Sequence, residues 1–282
     1  METFSPGLIA DAGEQNLLYA NVSTGFKAGG FYYGPPGFSI YEPELVTSYV
    51  IGSKNRFFDN HFQFNIEGFY LNYTNQQVSF IKLVGTPAFS TLVTENAGKS
   101  HAYGLDIDSQ LLVTPTTRLN FQAQYLRSKY DEFTILTLAP PPAARTSCGV
   151  SAGTPPQSIV DCSGQTTLRS PKWTLVGGIE QGLPLSNGGR VVAEANARYE
   201  SSYQTDVSYL PEGVANGSTR VNLSLGYEAP RNAFSIRAYV ENLTDEVSIA
   251  ATTMGNSYPA LPVFATRLLA PRTYGIRAQV NF

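Results

Sequence analysis

The last stretch of the chain, Pro271 to Phe282, alternates strictly. Tyr274, Ile276, Ala278, Val280 and Phe282 are apolar, and Gly275, Arg277, Gln279 and Asn281 fall between them. A period of two is that of a β-strand with one apolar and one wet face. The same alternation recurs upstream. It runs through Leu18, Ala20, Val22, Thr24 and Phe26; through Thr47, Tyr49 and Ile51; and through Phe62, Phe64, Ile66, Gly68 and Tyr70. Further along it runs through Tyr103, Leu105, Ile107 and Leu111; Leu119, Phe121, Ala123 and Tyr125; Trp173, Leu175 and Ile179; and Val191 to Tyr199. Val221 to Tyr227 and Phe234 to Val240 complete the series before the closing strand. With a partial strand at Phe4 to Ala10, the pattern predicts about eleven strands, each of about 9 to 13 residues, long enough to cross an apolar band at a tilt.

The connections sort by length. Ala12-Gly13-Glu14, Asn55 to His61, Val113 to Thr116, Pro184 to Gly189 and Pro230-Arg231-Asn232 are tight. Lys27 to Pro43, Ser79 to Ser100, Asp131 to Pro171, Ser201 to Gly217 and Leu243 to Ala270 are long, with part of Ser79 to Ser100 open to being an extension of its flanking strands. Asp131 to Pro171 has no periodicity and carries Pro140-Pro141-Pro142, so it reads as a loop without strands. Alternating long and short connections describe an antiparallel up-and-down meander with loops at one rim and turns at the other. A Greek-key sandwich would not sort them so regularly.

Composition decides what the apolar face meets. Only 15% of residues are charged, against roughly 25% in soluble domains. The polar faces hold Asn, Gln, Ser and Gly with few lysines, where a water-facing sheet would carry Lys and Glu. No run of 18 apolar residues occurs, so a membrane would have to be crossed by strands closed into a barrel. The fold expected is therefore all-β, a transmembrane β-barrel, with a soluble all-β protein as the competing class. The net charge of −3 and the lack of a basic run argue against nucleic acid as partner. Met1-Glu2-Thr3 opens no signal peptide, so an exported protein would have further residues upstream.

Candidate chemistry is sparse. His61 and His101 lie on distant strands, and Ser100 and His101 point to opposite faces, so no metal site, no cofactor and no enzyme activity are expected. Cys148 and Cys162 sit in a Pro/Gly/Ser-rich stretch without histidine and read as a loop disulfide, with two free thiols as the alternative. Glu67, Asp106, Asp108, Gln110, Arg198, Arg237, Glu241 and Arg277 fall on the wet faces and are candidates for lining a lumen, either contacting a partner there or pairing with one another. Tyr32, Tyr33, Tyr209 and Tyr258 lie in the long loops and are candidates for substrate contact, or for an interfacial girdle.

Several strings resemble the β-barrel of TonB-dependent outer-membrane receptors. They are Tyr19 to Phe31; Pro43-Glu44 with Ser48 to Lys54; Asn96-Ala97-Gly98-Lys99; Gly104-Leu105-Asp106; Ser170-Pro171-Lys172-Trp173; Val240 to Asp245; and Pro271 to Gly275. Val50 stands where that family commonly has an acidic residue. The resemblance implies a location in the outer membrane of a Gram-negative bacterium and a 22-stranded barrel filled by an N-terminal plug, of which residues 1–282 would supply about the last eleven strands. Neither plug nor TonB box is found in these residues. Implied partners are the plug, the TonB complex, outer-membrane lipid, the barrel-assembly machinery and a small molecule such as a ferric siderophore. The implied function is part of an active importer; the alternative is a passive pore or structural barrel. Tyr274, Ile276, Ala278, Val280 and Phe282 match that family's assembly signal. Eleven strands alone leave two unpaired edges, so an open curved sheet is expected in preference to a small forced barrel.

Overall fold

The computed structural model describes residues 5–11, 13, 15–31, 40–84, 89–137, 146–154, 157–255 and 263–281. Its framework is one antiparallel sheet of eleven strands joined strictly in chain order. These are β1 (Gly7–Asp11), β2 (Asn16–Lys27), β5 (Glu44–Phe57), β6 (Phe62–Val84), β7 (Phe89–Thr114) and β8 (Thr117–Glu132). The series continues through β12 (Trp173–Pro184), β13 (Arg190–Glu200), β16 (Ser218–Glu228), β17 (Phe234–Glu241) and β20 (Thr273–Val280). The tight connections all fall at one rim and the long ones at the other. The sheet is open, with β1 and β20 as its edges. No helix among the described residues is long and apolar enough to cross a membrane.

Register assigns each side chain to a face. The row Leu8, Ala20, Ile51, Gly68, Leu105 and Tyr125 runs across six strands on one side. Tyr19, Gly52, Glu67, Asp106, Gln124 and Thr174 form the adjoining row on the other. Nothing covers the apolar side among the described residues: Ile51 is 68% exposed and Ile276 77%. Two aromatic belts border it. Tyr49, Tyr70, Tyr103, Tyr125, Trp173 and Tyr199 stand toward the loop rim, with Tyr125 and Trp173 4.8 Å apart. Phe57, Phe62, Phe64, Tyr227 and Phe234 stand toward the turn rim. Phe62 and Tyr70 bracket roughly 26 Å of β6, or about 20 Å after a tilt of roughly 40°, close to the ~25 Å apolar band of transmembrane barrels.

The polar side is tied together across skipped strands. Tyr19 on β2 passes over Gly52 of β5 and donates its hydroxyl to Glu67 Oε2 on β6 at 2.6 Å. Arg237 on β17 reaches past β16 to both carboxylate oxygens of Glu194 on β13, each at 2.7 Å. Such contacts are made where side chains converge, as on the inner side of a curved sheet.

The hydrophobic core lies beyond the loop rim and not within the sheet. Strands β6 and β7 run on past the belt as a hairpin, so the extension of the flanking strands into Ser79 to Ser100 takes up much of that connection. Its Val78, Phe80 and Val93 pack with Tyr130, Phe133, Ile135, Val160 and Cys162. The expectation that Asp131 to Pro171 contains no strand is corrected by the three-stranded sheet of β9 (Thr134–Thr137), β10 (Gly149–Ala152) and β11 (Ser158–Asp161). Each of these strands is four residues long, too short to show a period, and forms because its neighbours supply ladder bonds and a buried face. Cys148 and Cys162 are joined by a disulfide that ties this sheet to itself. The other long loops carry β3 (Gly30–Phe31) with β4 (Ile40–Tyr41), β14 (Tyr203–Gln204) with β15 (Val214–Ala215), and the hairpin of β18 (Ile249–Gly255) with β19 (Val263–Leu268).

Room for a side chain is least at Gly104 among the described glycines, where an added Cβ would lie 2.0 Å from the Tyr125 carbonyl oxygen and 2.8 Å from the Phe69 ring. Gly104→Ala is expected to push β7 from β8 at a cost of about 1–3 kcal/mol and to lower the fraction of protein resisting SDS unfolding. Gly177→Ala, with nothing within 4 Å of the new atom, is the control and should match the parent.

Candidate functional site

Three of the long loops and the β6–β7 hairpin meet around a cavity of about 580 Å³ beyond the loop rim. Leu168 and Arg169 come from the segment between β8 and β12, Thr205, Asp206 and Val207 from that between β13 and β16, and Ala251 to Thr253 with Ala265 to Arg267 from β18–β19. Ser79, Phe80 and Leu92 of the hairpin close it. This size lies within the range of small-molecule sites, and a mostly apolar and hydroxyl lining with a few charges is typical of them. Its charged groups are Arg169, Arg267 and Asp206; both arginines are exposed, whereas Asp206 is buried and accepts the Ser208 backbone N–H at 2.9 Å.

Specific clamps hold the loops in place. The Thr205 hydroxyl donates to the Gly213 carbonyl at 2.8 Å and accepts from the Thr252 amide at 3.0 Å, pinning β18 to the neighbouring loop. Asn242 is fully buried at the base of the last loop with φ 52°, a left-handed conformation that asparagine tolerates. Its side chain donates to the Glu246 carbonyl at 3.0 Å and accepts from the Glu246 amide at 2.9 Å. Asp245 then receives the backbone N–H of Arg272 at 2.9 Å, joining Val240 to Asp245 with Pro271 to Gly275. Asn96 likewise accepts from the Glu42 amide at 2.8 Å and donates to the Glu42 and Asn75 carbonyls. These strings, singled out by resemblance alone, are loop-base clamps.

The candidate lumen residues all share the polar face. Asp108 accepts from Gln122 at 3.1 Å, Arg198 pairs with Glu200 at 2.6 Å, and Arg237 is held by Glu194. Glu67, Asp106, Asp108 and Arg198 border a groove of about 420 Å³ with Tyr19, Gln122 and Gln124. Gln110 and Glu241 make no side-chain hydrogen bond among the described residues, and Arg277 lies 5.9 Å from the Tyr239 ring centre. Arg198 and Arg237 are thus ion-paired, while Gln110 and Glu241 are exposed polar surface.

The loop tyrosines divide differently. Tyr32, Tyr33 and Tyr258 lie outside the described residues, as does Phe282. Tyr209 packs against the loop-layer core and donates its hydroxyl to the Thr166 carbonyl at 2.6 Å. Burial, with Tyr130 beside it, pushes its phenol well above the usual range, so it stays a neutral donor. Sequence reasoning missed Arg169, Arg267, Thr205 and Thr252, because no local pattern marks a cavity assembled from three loops.

An eleven-stranded meander with turns at one rim, a folded loop layer at the other, and an exposed apolar band edged by aromatics defines a transmembrane β-barrel protein. The family described as TonB dependent receptor-like, beta-barrel matches residues 3–243, and the chain belongs to it. The structure superposes on the ferric yersiniabactin uptake receptor FyuA from Yersinia pestis with a TM-score of 0.71 at 17% identity, over 99% of this chain and 37% of that one. The siderophore receptor PiuA from Acinetobacter baumannii gives 0.68 at 17% identity, over 98% and 35%, and the copper transporter OprC 0.67 at 13%, over 97% and 39%. The chain therefore spans little more than a third of these receptors. A search of curated proteins found no match. Members of this family are transporters and not enzymes.

Asn242→Ala removes the buried amide at the loop base and should destabilise the loop layer by about 1–3 kcal/mol, read as faster proteolysis between residues 243 and 272 with the sheet still protected. Cys148→Ser opens a loop whose closure contributes on the order of 3 kcal/mol and should move the new cuts to residues 131–171.

Proposed function

We propose that this chain is the barrel portion of an outer-membrane active transporter that captures a bulky, anionic nutrient complex, such as a ferric siderophore, at the loop-rim cavity and imports it with energy relayed through TonB. The observation that carries this reading is the cavity itself, built from three loops and a hairpin with Arg169 and Arg267 on its walls. Two guanidinium groups lining one cavity favour carboxylate or other anionic donors, since charge-assisted hydrogen bonds are the strong ones. The names of FyuA and PiuA, a ferric yersiniabactin uptake receptor and a siderophore receptor, fit an iron-chelate ligand, and OprC shows that copper is carried on the same framework.

On this reading the sheet is part of a larger barrel, and further strands pair with the β1 and β20 edges, because unpaired backbone groups at membrane depth cost several kcal/mol each. A plug contacts the polar face at Glu67, Asp106, Asp108, Gln110, Glu241 and Arg277. The alternation of Tyr274, Ile276, Ala278 and Val280, with Phe282 after it, serves recognition by the barrel-assembly machinery.

In cells carrying the full receptor, uptake of an iron-loaded anionic chelate should stop when the inner-membrane proton gradient is collapsed, while surface binding persists. Arg169→Ala and Arg267→Ala should each weaken surface binding about tenfold or more, the equivalent of one lost charge-assisted contact. Uptake indifferent to the gradient, with ion conductance by the purified protein, would establish the passive pore instead.

A further inference from the structure

Two residues of the loop layer hold backbone conformations that their side chains disfavour. Arg169, on the cavity wall, has φ 56°, and Tyr209, in the neighbouring loop, has φ 54°. Neither is a glycine or an asparagine, so each left-handed turn carries a cost that its surroundings must offset. Such a conformation persists where neighbouring contacts over-determine the backbone. Here each strained residue is bonded to the other's segment.

The Arg169 backbone N–H donates to the Gln204 carbonyl at 2.7 Å, and the Tyr209 hydroxyl donates to the Thr166 carbonyl at 2.6 Å. Next to that carbonyl, Gln165 accepts from the Tyr130 amide at 2.9 Å, and the buried Thr167 hydroxyl lies 2.5 Å from that of Ser128 and 2.7 Å from that of Ser170. Arg169 is therefore presented from a turn that is tied down on every side. Tyr209 also closes the turn of Asp206: its N–H donates to the Asp206 carbonyl at 3.2 Å, and the Ser208 N–H to the Asp206 carboxylate at 2.9 Å. The Ser208 carbonyl in turn accepts from the Thr146 hydroxyl at 2.8 Å and the Ser147 amide at 2.9 Å, beside the bridge of Cys148 with Cys162. One phenol thus links the turn that carries Asp206 to the turn that carries Arg169, and both charged groups line the same cavity.

We propose that Tyr209 is a positioning residue for anion capture: by holding the Thr166 carbonyl, its hydroxyl keeps Arg169 in the left-handed turn that presents the guanidinium on the cavity wall. The inference rests on the capture reading above and assigns a part in it to a residue that meets no substrate. The ring of Tyr209 packs against the loop-layer core, which a phenylalanine would do equally well. What phenylalanine lacks is the hydroxyl, and that group is engaged with a carbonyl three residues before Arg169. Its work is therefore done through the arginine. A guanidinium held in place before the ligand arrives loses less freedom on binding than one on a loose turn, so the hydroxyl contributes to affinity without touching the anion.

The test measures surface binding of ferric citrate, an anionic iron chelate, by cells carrying the full receptor with the proton gradient collapsed. Tyr209→Phe should weaken binding about fivefold, the effect of one lost hydrogen bond, with the loop layer no more open to protease than in the parent. In an Arg169→Ala background the same substitution should change affinity by less than about twofold, because the group it positions is gone. Thr146→Val, which frees the Ser208 carbonyl beside Tyr209, should give the same pattern, and Thr146→Ser, which keeps the hydroxyl, should match the parent. These two variants decide the matter if Tyr209→Phe opens the loop layer. Equal losses from Tyr209→Phe with and without Arg169, or parent-like binding by both Tyr209→Phe and Thr146→Val, would overturn the proposal and leave Tyr209 a structural residue. No binding by the parent, or binding untouched by Arg169→Ala, would instead remove the capture reading from which the inference starts.

Discussion

Every backbone amide and carbonyl in the spanning part of this chain must find its partner in a neighbouring strand, because the apolar medium on one side offers none. That requirement accounts for the strict chain-order pairing and the long uninterrupted ladders from β2 to β20. It makes close strand approach compulsory even where side chains would crowd, which is why Gly104 sits against a backbone carbonyl and Gly52 lies beneath the Tyr19 ring. Among the described residues the same requirement is unmet at β1 and β20, the two edges of the open sheet.

Stability is divided between two layers of different physics. In the sheet, ladder bonds and polar contacts on one face act with an apolar face that gains nothing from water. In the loop layer, Val78, Phe80, Val93, Phe133, Ile135 and Val160 exclude water in the ordinary way, and a disulfide limits the unfolded alternatives. Loops in this protein are therefore a small folded body, with Thr205, Asn242 and Asn96 fixing how its parts meet. A cavity with fixed walls follows from that rigidity, and a ligand bound there would not have to order the loops first.

The two faces also divide the charges. On the polar face, Arg198 and Arg237 are held by Glu200 and Glu194, which keeps half-buried cations from standing alone. On the apolar face, no charge among the described residues stands between the row of Phe62 and that of Tyr103, and Arg127 is the first met toward the loop rim. The polar face, the apolar face and the loop-layer cavity are thereby three chemically distinct surfaces.

The alternation of Tyr274, Ile276, Ala278 and Val280, and its repetition through nine other strands, was legible without coordinates because a strand's facing is set by neighbours two positions apart. The sorting of connections into long and short was equally local, and together they specify the meander and the side that avoids water. The loop-rim strands were not legible, since four-residue segments such as Thr134–Thr137 and Ser158–Asp161 carry no measurable period and are strands only by virtue of each other. Resemblance picked out Asn96 and Val240 to Asp245, but their work as clamps becomes visible only with Glu42, Glu246 and Arg272 in place. Arg169 and Arg267 come together from separate segments, so a chain without a basic run still builds a cationic cavity wall. Facing is a property of adjacent residues and can be read along the chain, whereas a site is a property of distance in space, which only the folded pairing of remote segments decides.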